Sequence, residues 1–316
     1  CMCSCLNKHD QYKDAEWALS KEGREKLREV VGQITPADSY YAALRLLSLS
    51  EWELIDHRNK RNEEHDKLKN LRVNTLCGLY KDYGISIVER LINDGAKGSI
   101  TGYVLAGIEF EEKDCQAVLA FLAKDMARNS ELGDVARSYA WAKTVNVGLD
   151  WIDALPISEW PSERVARLYA SLPISRIVWT KAEEALGKDA SLFWDAIPPD
   201  LIFDNCQDTE TFASRMLAAN RALDAIGTLA WSVEQGLLID ASLISESLEG
   251  LRVSELGSTH SYHIGSLLEY LENTSPGDSL FALEFRFAAT VMDRSDAYIY
   301  TRISNDPNAF VEVASI

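Results

Sequence analysis

The sequence predicts an all-α protein: a helical-hairpin repeat array, α-solenoid-like, with a charged helical N-terminal part. Three observations predict it. Apolar residues recur at steps of three and four almost from end to end, the strict alternation expected of strands is nearly missing, and helix-start signals sit at short connections.

Taken in order, the periodicity predicts a helix over about 10–31. Thr35-Pro36-Ala37-Asp38 follows, with a hydroxyl N-cap, Pro at the first helical position and a carboxylate facing the helix dipole, and it opens an apolar run from Tyr40 to Leu54. Further helices are predicted at about 62–82, 85–94, 99–109, 112–128 and 131–146. Pro161 starts another ahead of Val165, Leu168 and Tyr169, and one follows over 174–186. From Asp208 to Gly236, Phe212, Met216, Ala219, Leu223, Ile226, Ala230 and Val233 recur at steps of 4 and 3. That stripe predicts one long helix capped by Asp208 and ended by Gly236. Helices at 240–250, 262–273 and, after Ser275-Pro276-Gly277-Asp278, Leu280 to Met292 complete the series. Leu155-Pro156-Ile157-Ser158 recurs as Leu172-Pro173-Ile174-Ser175, 17 residues on. One helix plus a turn is half of a hairpin repeat, so the two copies suggest a degenerate array. Composition divides the chain into a charged helical N-terminal subdomain, 1–75, and a helical repeat array, 76–316.

The chain has 316 residues and a net charge of −17, unevenly spread. Residues 1–75 hold 13 basic and 13 acidic side chains, whereas 189–279 hold 15 Asp/Glu against Arg215, Arg221 and Arg252, a net of −12. Polyanion binding needs Lys and Arg on phosphates, so the acidic half excludes nucleic acid and anionic membrane. It is either a solvated face or a surface for a basic protein partner. The longest apolar run, Ala117 to Ala123, is far below the roughly 18 residues a membrane span needs. No signal peptide is visible, and the six cysteines form no disulfide framework, which predicts a reducing, cytoplasmic setting. Cys115, Cys77 and Cys206 read as small core hydrophobes. The first residue is Cys, and the last segment, Phe310 to Ile316, is apolar and periodic; both ends read as cuts in a longer protein.

No residue constellation fixes a reaction, and no cofactor is called for. Cys1, Cys3 and Cys5 with His9 carry zinc-type donors at the wrong spacing. His260 and His263 lie one helical turn apart, so with Glu255 or Glu269 they could form a two-His, one-carboxylate metal site; the plainer reading is surface or capping histidines. His57 to Arg61 is the only basic cluster, and Glu63, Glu64 and Asp66 can pair with it. Asp94-Gly-Ala-Lys-Gly-Ser99 lacks the phosphate-loop spacing and reads as a turn between helices. Among eight tryptophans, Trp160, Trp179, Trp194 and Trp231 are either anchors between stacked helices or the lining of a peptide or ligand groove.

Leu168-Tyr-Ala-Ser-Leu-Pro173, Trp179, Phe193-Trp194 and Asn305-Asp-Pro-Asn-Ala-Phe310-Val-Glu-Val resemble the C-terminal helical-repeat regions of large bacterial multidomain proteins. Some of these join a nucleotide-binding or effector module to such an array and are linked to defence against phage. The resemblance implies a sensor or scaffold array and carries no catalytic residue over. The expected function is therefore non-catalytic protein recognition, with a metal-dependent enzyme at His260 and His263 or a purely structural spacer as alternatives.

Overall fold

The computed structural model describes residues 12–34, 38–54, 61–124, 130–198, 207–252 and 256–288, with residues 6, 8, 9, 291, 304, 305 and 311. Among them the chain is helical and contains no strand. It forms two compact units, Cys1–Pro173 and Ile174–Ile316. The sequence-based boundary at residue 75 falls inside one unbroken helix.

The first unit contains α1 (Lys21–Ile34), α2 (Ser39–Ser48), α3 (Glu51–Leu54), α4 (Arg61–Tyr83), α5 (Ser86–Asn93), α6 (Gly98–Leu105), α7 (Glu112–Lys124), α8 (Glu131–Val147) and α9 (Ser162–Ala170). Its centre is α8, against which α5, α6, α7 and α9 all pack. Two glycines let α6 approach α8 to backbone contact. A Cβ on Gly98 would lie 1.9 Å from the Glu131 carbonyl oxygen, and one on Gly102 would lie 2.1 Å from that of Val135. The Gly98 N–H also donates to Glu131 Oε2 at 2.6 Å, which ties the start of α6 to the start of α8.

The second unit contains α10 (Arg176–Leu186), α11 (Ser191–Ala196), α12 (Thr209–Ala218), α13 (Ala222–Glu234), α14 (Ala241–Glu249), α15 (Ser258–Thr274) and α16 (Asp278–Phe287). Here α13 is central, packed on α12, α14 and α15. In both units helices contact neighbours close to them in the chain, the local packing on which stacked helical arrays rest.

Several predicted elements change at their ends. The long helix over 208–236 is a hairpin of α12 and α13. Asn220 adopts a left-handed φ of 57°, the Arg221 N–H reaches back to Met216 O at 2.9 Å and the Asn220 N–H to Leu217 O at 2.8 Å. That is a Schellman stop with Asn where Gly is usual. Asp208 is the N-cap residue of α12, but its side chain makes no cap bond; its carboxylate pairs with Arg176 at 3.2 Å. The first predicted helix starts at Lys21 rather than residue 10, because the Ser20 hydroxyl accepts the Gly23 N–H at 3.1 Å and caps it there. The run Tyr40 to Leu54 breaks after Ser48. Asp38 is the N-cap of α2, accepting the Tyr40 N–H at 2.7 Å, while Thr35 to Ala37 lie outside the described residues. The last Pro-marked helix likewise starts at Asp278, with Gly277 as its N-cap. The two Leu-Pro-Ile-Ser copies are not equivalent: Ser175 caps α10, while Ser158 lies inside a 3₁₀ turn, Ile157–Glu159, ahead of α9. Of Asp94 to Ser99, Asp94 to Lys97 is the turn between α5 and α6, with Gly95 at a φ of 105°, and Gly98 and Ser99 open α6.

Arginines close helix ends at long range. Arg72, only 5% exposed, donates to the Leu46 and Leu49 carbonyls at 3.0 and 2.8 Å and so holds the end of α2. Arg167 donates to Leu122 O at 2.8 Å near the end of α7. Arg221 donates to Trp194 O and Ile197 O, both at 2.7 Å, at the end of α11, and Arg286 donates to Glu249 O at 2.9 Å and to Leu251 O after α14. Each supplies a cation and N–H donors to carbonyls that the helix itself leaves unsatisfied.

Candidate functional site

The four singled-out tryptophans divide between core and surface. Trp179 and Trp194, 3% and 4% exposed, meet at a ring separation of 5.8 Å. Phe212 lies 6.0 Å from each, and Phe193 lies 4.9 Å from Trp194. These rings form the aromatic core of the second unit, so the groove-lining alternative fails for this pair. The Trp194 indole N–H donates to Glu183 Oε1 at 3.1 Å, and Glu183 also holds Arg215 at 3.2 Å. Trp160 is half-buried in the first unit under the Arg164 guanidinium, 3.6 Å from the ring centre. Burial holds that guanidinium below the usual arginine range. Trp231 is half-buried on α13.

His260 is a capping group: its Nδ1 accepts the Gly257 N–H at 2.9 Å at the start of α15. Among the described residues no three His, Cys, Asp or Glu side chains gather as metal ligands. Glu255 lies outside the described residues, as do Cys1, Cys3, Cys5, Cys206 and the basic stretch His57 to Lys60.

Cys115 is buried, as its helical phase predicts, but it is more than a small hydrophobe. The Tyr139 hydroxyl donates to Cys115 Sγ at 3.3 Å, and the Lys143 ammonium lies 3.6 Å from the same sulfur and 3.0 Å from the Tyr139 oxygen. Burial and the neighbouring sulfur push the Tyr139 phenol well above its ordinary range. Lys143 also sits over the Trp151 ring at 5.0 Å. The group joins α7 to α8 and fills the polar requirements of a buried contact.

The surface feature that sequence reasoning missed is the link between α13 and α14. Gly236, at a φ of 79°, ends α13; the Leu237 N–H returns to Ser232 O at 3.1 Å and the Gly236 N–H to Val233 O at 2.9 Å. The Tyr270 hydroxyl on α15 accepts the Ile239 N–H at 2.9 Å and donates to the Ile239 carbonyl at 2.8 Å. The Asp240 N–H donates to Glu210 Oε1 at 2.7 Å, and the Asp240 carboxylate accepts both the N–H and the hydroxyl of Ser242 at 2.8 Å, capping α14. Those donors hold the Asp240 carboxyl below the usual range. Between these ties stands Leu238, 89% exposed. Four residues before it, at the end of α13, Glu234 raises the Tyr262 phenol by its charge and by a hydrogen bond to it. The only local sequence signal was Gly236 followed by two leucines, which reads as a helix end and nothing more.

No helix among the described residues is long and apolar enough to cross a membrane. No protein-family model, curated protein or solved structure matches this chain.

Proposed function

We propose that this chain is a non-catalytic protein-recognition array, a sensor or scaffold of the cytosol, whose acidic second unit engages a basic protein partner. The observation that carries the reading is how the scarce bases of 189–279 are used. Arg221 is 14% exposed at its side chain and bound to helix-end carbonyls and Asp224, and Arg215 is paired with Glu183. Two of the three cations in that stretch are therefore engaged within the fold, and its net charge of −12 gives a field that little opposes. Such a field accelerates encounter with a basic protein and repels polyanions. The resemblance of Leu168 to Pro173, Trp179 and Phe193-Trp194 to helical arrays of bacterial multidomain defence proteins agrees with this assignment, since their apolar side chains build the cores.

The test is a pull-down with the purified chain from uninfected and phage-infected bacterial lysates at low and moderate salt. Retention of basic proteins that moderate salt releases is expected. If no protein is retained at either salt, the recognition reading fails.

A further inference from the structure

We infer that Leu238 is a preorganised apolar knob in an acidic link, between Glu234 and Asp240, that docks into the apolar face of a basic amphipathic helix on the partner. This rests on the recognition reading above and names its face and its chemistry.

An exposed leucine alone means little, since much of any protein surface is apolar. What sets Leu238 apart is that the backbone on both sides of it is fixed. The helix stop at Gly236 holds one side, and the two-way bond between the Tyr270 hydroxyl and Ile239 holds the other. The Ile239 side chain is itself buried at 7% exposure, so the chain dips into the core one residue after Leu238 projects from it. Binding through a loosely held loop residue has to pay for ordering it, and here folding has already met that cost. A knob held in this way suits the hole that four residues of a facing helix form.

The surrounding charge selects the partner. Asp240, whose N–H is bonded to Glu210, follows Leu238 by two residues, and Glu234, bonded to the exposed Tyr262, precedes it by four at the end of α13. Lys or Arg beside an apolar helical stripe complements that arrangement. A second copy of this chain would bring carboxylate against carboxylate, and an anionic membrane would be repelled for the same reason.

The experiment uses the full chain and a fluorescein-labelled amphipathic peptide of Leu and Lys in helical phase, with a shuffled peptide of the same composition as control. Fluorescence anisotropy is expected to show the patterned peptide bound about tenfold more tightly than the shuffled one, the size of one apolar hot spot. Leu238→Asp removes that factor, whereas Leu71→Asp, at another exposed leucine, leaves it. Glu210→Gln with Asp240→Asn keeps the acceptors and flattens the salt dependence. Circular dichroism confirms that each variant is folded. If Leu238→Asp binds the patterned peptide as tightly as wild type, the knob is refuted while the recognition reading stands. Failure of both peptides to bind at low salt overturns both.

Discussion

Replacing Gly102 by alanine probes the closest helix contact in the first unit. The added Cβ would sit 2.1 Å from the Val135 carbonyl oxygen and 2.9 Å from the Tyr139 amide nitrogen. Both neighbours are backbone atoms of α8 and cannot rotate away, so α6 must retreat by about 1 Å. Overpacking of this kind costs about 3 kcal/mol at its upper end. Alanine's better helix propensity returns about 1 kcal/mol, leaving a net loss of about 2 kcal/mol. Gly78, in α4, is the matched control, because a Cβ there meets nothing within 4 Å. Gly78→Ala should therefore stabilise by up to about 1 kcal/mol. The assay is urea unfolding followed by far-UV circular dichroism. With a slope of about 2 kcal/mol per molar, Gly102→Ala lowers the midpoint by about 1 M. A midpoint raised by Gly102→Ala, as for Gly78→Ala, would show that the α6–α8 backbone contact is wrong.

Three further outcomes follow from the geometry. Asn220→Ala should destabilise by about 1 kcal/mol, since alanine is strained at a left-handed φ, while Asn220→Gly should be close to neutral. Were 208–236 one continuous helix, the alanine variant would be the more stable, and urea midpoints decide between them. Arg221→Met leaves the Trp194 and Ile197 carbonyls and Asp224 without their cation and should cost about 3 kcal/mol; Arg221→Lys should recover only part, having no planar fork, as thermal unfolding will show. Tyr40 and Tyr80 are each pushed up to about 12, Tyr40 first by burial and then by Asp94, Tyr80 first by its hydrogen bond to Asp114. A phenol raised in the folded state contributes stability that is complete below about pH 10 and is lost as pH rises through about 12. Absorbance at the phenolate band should show Tyr40 and Tyr80 among the late-titrating tyrosines, beside Tyr139 and Tyr262, and Tyr40→Phe and Tyr80→Phe should each weaken the alkaline dependence of unfolding.

The sequence made the helices legible and their ends partly so. Gly236 marks a real helix end, because a left-handed glycine acts within one turn of its own position. The hairpin at Asn220 was hidden for a physical reason. Phe212 and Met216 on α12, and Ile226 and Ala230 on α13, all face one core, so the apolar period continues through the stop. Asn carries a weaker break signal than Gly or Pro. The arginine clamps were illegible because their targets lie far along the chain, as with Arg167 and Leu122, and no local pattern announces them. Leu238 was illegible for the converse reason. Its hydrophobicity suggests burial, and only the bonds from Tyr270 and Glu210 show that the chain turns it outward.

The most direct test of partner recognition through the acidic second unit is the affinity of the patterned Leu/Lys peptide for the full chain across a salt series. Docking on Leu238 in its acidic link predicts affinity that falls steadily as salt rises yet stays above that of the shuffled peptide at every concentration. Equal affinity for the two peptides throughout, or affinity indifferent to salt, would contradict it.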